Sequence, residues 1–394
     1  MKILVTSLPD IQRIAVQRPH HMLRHLAEKH EVSVRCVQSQ RELPRQDTYI
    51  ENLMQQLDFR YLTEGNKNPA IQELSWGFGS SLNQDLSTGD YDVHLNLNSL
   101  LAGARVATLL LARETPTIFD IGDDLPEIFA ENSTFPSWIR GLITLISKRM
   151  LHRSIRSAAA LTYITEFLAE KYHFPADRST RIPNGVDCTL FRPAAETFSR
   201  ENLGIPAEEY LCGMIAHLNR WVDLETPFLA LRKLRTQGRR VRMLVIGGGE
   251  CLPYFQRMTR SLGIDGMVTF TGPVAYDTGP HLIQAMDLCL LCRRPTSASH
   301  ASLPMKVFEY MACGKPVLAT PLAGVKETFG ERVSYAATCD EVASAISHLM
   351  KHLDTAAANG VANREFVASE YSWEHIFSRF DRVLEGVVTR ATAQ

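Results

Sequence analysis

Apolar runs of strand length alternate with longer stretches of helical periodicity along almost the whole chain. KILVTS (2–7), EVSVRCV (31–37), DVHLNL (92–97), TIFDI (117–121) and ALTYIT (160–165) read as strands. Near-continuous apolar and β-branched runs of this length fit a sheet covered on both faces. Residues 19–30, 100–113 and 136–158 carry the helical period between them. A second series starts near Tyr210, with YLCGMIAHL, a helix over 224–237, VRMLVIGGG, a helix over 252–262 and VTFTG. Residues 38–90, polar and punctuated by Gly77, Gly79 and Gly89, read as loops. Strand followed by helix, twice over, predicts an α/β protein with two doubly wound, Rossmann-like parallel sheets. Between Ile182 and Phe198, Asn184-Gly185-Val186 and two prolines interrupt the pattern, dividing the chain into domains 1–185 and 186–372.

One segment carries more chemistry than the rest. In SLPMKVFEYMACGKPVLAT (302–320), Pro304 suits the first turn of a helix that ends at a Gly314 cap, before a buried strand, PVLAT. Met305, Phe308 and Met311 give that helix a buried side, while Ser302, Lys306 and Glu309 fall on another. Free backbone amides, the positive dipole end and Lys306 suit a diphosphate; Glu309 suits sugar hydroxyls. An ordinary amphipathic helix has the same pattern, so the segment alone does not decide.

The same residues resemble the donor-binding signature of glycosyltransferase family 4, in the form P-x-K-x-x-E-Y-x-A-x-G-K-P-V. Three further stretches resemble that family in the same order: RIPNGVDCTLFRP (181–193), MVTFTGPVAYDTGPHLIQAMDLCLL (267–291) and SEYSWEHIFSRFDRVLEGV (369–387). The resemblance implies a GT-B arrangement, with two Rossmann-like domains facing across a cleft and a C-terminal helix (373–394) crossing back to the first domain. It implies a retaining, metal-independent transferase with no cofactor, using a UDP- or GDP-linked sugar as substrate. Donor contacts would come from Arg220, Val274, Ser302, Leu303, Lys306 and Glu309. The first 180 or so residues match only in layout, as befits a half adapted to the acceptor.

Departures from the family pattern matter as well. A second glutamate, common eight residues before the one matching Glu309, is replaced by Ala301. Where members place an arginine and a lysine after the first strand of the second domain, AHLNRWVDLE (216–225) offers Arg220 alone. Arg220 reads either as the surviving phosphate ligand, acting on the departing diphosphate, or as a solvated loop arginine. Gly247–Gly249 follow a strand without forming GxGxxG, so a tight turn near the donor fits better than a dinucleotide fingerprint.

In the first domain, FDIGDDLPEI (119–128) places Asp120, Asp123 and Asp124 at a strand end. Asp120 and Asp123 are candidates to orient an acceptor hydroxyl or take its proton; helix capping and loop solvation are the competing readings. Arg18, His20 and His21 open the first helix and are candidate acceptor-side ligands. No metal-ligand pattern stands out among the histidines. Cys289 and Cys292 form a CxxC inside a predicted strand, where residues three apart point to opposite faces.

Bulk properties narrow the class. At 394 residues the chain suits two domains, and a formal charge of −1 excludes the basic footprint of a nucleic-acid binder. Eight scattered cysteines fit a reducing, cytoplasmic compartment, and MKILVTSL runs directly into a strand, as expected without a leader. Residues 136–160 hold five cations, no acidic residue and apolar positions at helical spacing. Such a helix fits the cytoplasmic face of an anionic membrane, or simply one more helix against the sheet. The expected activity is sugar transfer from a nucleotide donor to a sugar or lipid-linked acceptor in envelope glycan synthesis. A nucleotide-sugar epimerase and a non-catalytic nucleotide-sugar binder are the alternatives.

Overall fold

The computed structural model describes all residues except 8–9, 37, 39–46, 63–89, 133–135, 194–199 and 393–394. The loop reading of 38–90 therefore falls largely outside the described residues, but part of that stretch is regular: a helix at Thr48–Met54 and a strand at Asp58–Tyr61. Their period was hidden by short length and polar composition. The chain forms two compact units, Met1–Pro183 with Ile376–Gln394, and Asn184–His375.

The strands of unit 1 are β1 (Lys2–Ser7), β2 (Glu31–Cys36), β3 (Asp58–Tyr61), β4 (Val93–Leu97), β5 (Thr117–Ile121), β6 (Ala160–Tyr163) and β7 (Ser179–Arg181). They form one sheet in the order β3-β2-β1-β4-β5-β6-β7. All pairs are parallel, with Ile3 opposite Val32 on one side and Val93 on the other. Helices α1 (Arg18–Ala27), α2 (Thr48–Met54), α3 (Leu101–Leu111), α4 (Leu125–Asn132), α5 (Ser137–Ser157) and α6 (Glu166–Tyr172) connect them. β4 and β5 are buried at every position, as expected of central strands in a parallel sheet covered on both faces.

Some polar strand residues are buried too, and each has a partner. His94 on β4 lies between Thr6 Oγ1 (2.8 Å) and Thr117 Oγ1 (3.1 Å). Burial pushes its pKa down to about 3, so the ring is neutral.

Unit 2 repeats the plan with β8 (Tyr210–Ile215), β9 (Val241–Ile246), β10 (Val268–Gly272), β11 (Leu288–Leu291), β12 (Val317–Ala319) and β13 (Ser334–Tyr335). Their order is β10-β9-β8-β11-β12-β13, again parallel. The helices are α7 (Glu225–Thr236), α8 (Leu252–Ser261), α9 (Gly279–Ala285), α10 (Ser297–Ala301), α11 (Met305–Ala312), α12 (Ala323–Phe329), α13 (Cys339–Lys351) and α14 (Leu353–Glu370). Phe228, Leu231 and Leu234 of α7 share a core with Met243 and Val245 of β9, Phe255 of α8 and Ile346 of α13. The final helix, α15 (Trp373–Thr392), passes into unit 1 from Ile376 onwards. There Asp381 accepts from His25 Nε2 (2.8 Å) and Lys29 Nζ (2.7 Å), and Phe377 stacks on the His25 ring.

Candidate functional site

Parallel sheets gather their strand-to-helix loops along the carboxyl edge, where ligands of doubly wound folds bind. The signature helix follows that edge of unit 2 but differs from its expected form. Pro304 is not inside the helix. It is the N-cap residue, extended at ψ 127°, and α11 starts at Met305. The reason lies upstream, where Ser302 turns its hydroxyl back onto the Ser299 carbonyl (2.8 Å) and closes α10. Proline then holds Leu303 out of the helical region. Gly314, at φ +72°, forms the left-handed turn that stops α11.

Nor does α11 have the solvated face that its period implied. Val307 to Ala312 are buried throughout, and Glu309 is 1% exposed. A buried carboxylate needs a counter-charge. Lys306 Nζ supplies it, at 2.8 and 3.2 Å from the two Glu309 oxygens. Tyr310, next in the motif, fixes the helix to the sheet by accepting a hydrogen bond from the Ile215 N–H (2.7 Å). Ala301 is fully buried in α10.

Other strand ends of unit 2 bring further candidates to the same edge. Arg220 is exposed on the turn after β8. Its neighbour Asp223 accepts from both the N–H (3.2 Å) and the hydroxyl (2.7 Å) of Thr226, so it organises the start of α7. Gly247 (φ +124°) and Gly249 (φ +147°) follow β9, where a Cβ would stand 2.0 Å from the Ala216 carbonyl oxygen and 2.5 Å from that of Leu218. These glycines let two strand-end loops touch, a role unlike that of GxGxxG. Val274 is half-buried after β10, and two residues on the Tyr276 ring lies 6.0 Å from Lys306 Nζ.

Two residues of this edge escaped the sequence reading. Arg293, beyond β11, donates to the Ser302 hydroxyl (3.0 Å). Asn184 donates to the Leu303 carbonyl (2.6 Å) while its own side-chain oxygen is buried without a hydrogen-bond partner. Position after a strand end was the available signal for Arg293; Asn184 was visible only as part of the 181–193 stretch between the domains. The cysteine pair is not reactive, since Cys289 lies against Met286 Sδ (3.7 Å) and burial pushes the Cys292 thiol up to about 12.

In unit 1, the structure joins two sequence candidates into one group. Arg18 donates to both Asp120 oxygens, from Nε at 3.0 Å and Nη2 at 2.7 Å. Thr162 Oγ1 adds a 2.6 Å bond to Asp120, and Arg18 Nη1 reaches the Pro183 carbonyl (2.9 Å). Both charged side chains are under a tenth exposed. Asp120 thus has no free oxygen face from which to take a proton, and it serves as the anchor of Arg18. Asp123 is half-buried and accepts from Asn98 Nδ2 (3.1 Å). Asp124 instead accepts from Lys171 Nζ and the Tyr172 hydroxyl, both at 2.6 Å, and from the Glu127 N–H at the start of α4.

His20 does not face a ligand as expected. Its Nδ1 accepts from the Gln17 N–H (3.0 Å), which leaves Nε2–H to donate to the Ile11 carbonyl (2.8 Å). It is fully buried, and that burial lowers its pKa. Both nitrogens are spent on the turn before α1. His21, also buried, meets the Tyr49 hydroxyl at 3.0 Å.

Two parallel doubly wound units, with the last helix passing from the second into the first, give the chain the two-domain GT-B fold seen in glycosyltransferases of known structure. Residues 195–384 match the family model described as Glycosyl transferases group 1. Over 254 residues the chain is 27% identical to the GDP-mannose-dependent alpha-(1-6)-phosphatidylinositol monomannoside mannosyltransferase of Mycobacterium tuberculosis, a match covering 61% of this chain. It spans just under two thirds, 65%, of that relative's length. Among solved structures, sucrose-phosphate synthase from Thermosynechococcus elongatus superposes with a TM-score of 0.77 at 16% identity, covering 99% of each chain. Anabaena HepE in complex with UDP-glucose gives 0.75 at 18% identity, covering 98% of this chain and all of that one. At such identities these two likenesses carry the fold alone.

Proposed function

We propose that the protein transfers a sugar, with retention, from a UDP- or GDP-linked donor to an acceptor hydroxyl in the synthesis of a lipid-linked or envelope glycan. The observation that carries this reading is the buried Glu309 carboxylate paired with Lys306 on α11. A ribose diol offers two O–H donors to such a carboxylate, and Lys306 is then freed to meet phosphate. Arg220, exposed on a neighbouring strand-end turn, adds a second positive charge where the diphosphate departs. Two such cations stabilise the leaving group without a divalent metal, so the reaction we propose needs no cofactor. Val274, Ser302 and Leu303 complete the donor side, as in the family signature.

On the acceptor side, Asp120 positions Arg18, and Asp123 is the carboxylate we assign to the acceptor hydroxyl. The mycobacterial relative's name makes GDP-mannose and an inositol-bearing lipid the first donor and acceptor to try. The lipid reading also draws on α5, where Trp138 is 71% exposed and Leu142, Leu145 and Ile146 are about half exposed. These lie on the same helix as Arg140, Arg149, Arg153 and Arg156, a combination suited to the cytoplasmic face of an anionic membrane. No helix among the described residues is long and apolar enough to cross one.

The test is incubation with labelled GDP-mannose or UDP-glucose, with and without phosphatidylinositol-type acceptor. Transfer to lipid only in the complete mixture, abolished by Glu309→Gln, is the expected result. Free epimerised nucleotide sugar would establish an epimerase. Donor binding without any product would establish a binding protein.

A further inference from the structure

Among its described residues, unit 1 also gathers positive charge at the edge opposite its strand-end carboxylates. Helix α5 ends at Ser157 just before β6, and α6 ends at Tyr172 a few residues before β7. Both ends therefore lie at the amino edge of the sheet, opposite the edge where Asp120 nears the end of β5 and Asp123 follows it. There the two helices and the loop after α6 border an open concavity of about 760 Å³. Arg149, Arg153, Arg156 and Arg178 line it with His152 and His173, and Tyr172 is part of its wall.

The charges around this concavity are not balanced as their neighbours are. Lys148 is paired with Glu127 (3.1 Å), and Lys171 with Asp124 (2.6 Å) and Glu127 (3.2 Å). Arg149, Arg153 and Arg156 have no ion pair among the described residues. The last carbonyls of α5 would repel an anion. Arg178 covers them, with Nη2 3.4 Å from the Ile155 and Arg156 oxygens, while its Nε is buried without a hydrogen-bond partner. The carboxylates of Asp124 and Glu127 near the Tyr172 hydroxyl are already neutralised by Lys171 and Lys148.

We propose that this concavity is a second ligand site, for clustered phosphate, presented either by an anionic lipid headgroup or by a soluble polyphosphate. Guanidinium groups are the side chains suited to this chemistry, since their planar forks pair two-to-two with phosphate oxygens. A single phosphate leaves most of the four arginines unused; two or more adjacent phosphates engage them together. The site does not rest on the transferase reading.

Calorimetric titration of the full chain with tripolyphosphate, at low salt, tests it directly. Arg153→Ala/Arg156→Ala replaces two exposed side chains without disturbing the core. It should lower affinity at least about tenfold and flatten its salt dependence. Lys306→Ala, in the donor site, should leave this binding in place. Loss in Lys306→Ala together with full retention in the double variant would assign the phosphate to the donor site and overturn the proposal, as would no binding to the native chain. Co-sedimentation with phosphatidylcholine vesicles, with and without phosphatidylglycerol, then separates the sources. Displacement from the anionic vesicles by tripolyphosphate marks a headgroup site, and tripolyphosphate binding without vesicle capture marks a soluble ligand. Trp138→Ala should weaken only the vesicle arm.

Discussion

The two units use the same strand topology but treat their strand-end charges in opposite ways. In unit 1, Arg18 and Asp120 are sealed under the surface, with Thr162 and the Pro183 carbonyl taking up further valences. In unit 2, Glu309 is equally buried, yet its partner Lys306 keeps 29% of its side chain exposed and Arg220 is in solvent. A sealed pair fixes geometry. A pair with one accessible member can exchange its partner for a ligand, and this difference separates a positioning cluster from a binding one.

Asp120→Ala puts the sealed cluster under the largest strain, because it leaves a buried guanidinium uncompensated. A loss of about 3–5 kcal/mol in unfolding free energy is expected. Lys306→Met also strands a buried charge, but Glu309 can relieve it by taking up a proton, as a guanidinium cannot, so it should cost less stability while weakening donor binding. If denaturant midpoints fall equally for both, the distinction between the two clusters is void.

Unit 1 should also be the acid-sensitive half. His94 has its folded pKa pushed to about 3, below the 6.5 of an exposed ring. Above pH 6.5 the ring is neutral in both states and the full stability is present. As pH falls from there towards 3, the unfolded chain binds a proton that the native state refuses. The loss should reach roughly 4–5 kcal/mol. His94→Gln should flatten that part of the stability–pH curve, measured by denaturation at stepped pH, even if it lowers stability overall.

For the accessible pair, Glu309→Gln exchanges charge-assisted hydrogen bonds worth roughly 1.5–3 kcal/mol each for neutral ones worth roughly 0.5–1.5. Nucleoside-diphosphate affinity by calorimetry should drop about tenfold or more with the melting temperature little changed. Unaltered affinity would remove Glu309 from the donor site.

The smallest effect is expected at Arg220. As an exposed cation aimed at developing charge, it should lower turnover by about 1–2 kcal/mol when changed to alanine, with a smaller change in donor affinity. Activity should survive chelation by EDTA. Complete inhibition, reversed by magnesium or manganese, would show that a metal and not Arg220 neutralises the diphosphate.

Much of this plan was readable in advance. β1, β5 and β10 span the residues the sequence marked out, because short runs rich in apolar and β-branched residues are the signature of strands. Gly314 was legible as a cap, since few residues other than glycine accept its φ. The segment around Thr48–Tyr61 was not, because two short elements with polar exposed faces carry too few periods to register. Its place at the start of the first helix put His20 on the ligand side, whereas the turn before α1 uses both of its nitrogens.

The sequence by itself determined the two α/β halves, the boundary region between them and the local chemistry of the Lys306–Glu309 helix. These depend on neighbours within a turn or a strand, where spacing maps directly onto faces. Only the tertiary structure decided which charges are spent on one another. Arg18 and Asp120 are 102 positions apart, and Arg178 lies 22 residues beyond Arg156, so nothing in the local pattern joins either pair. Burial on every face of α11 likewise comes from elements distant in the chain. The unpaired arginines at the amino edge become visible only once the carboxylates of the fold have been assigned to other partners.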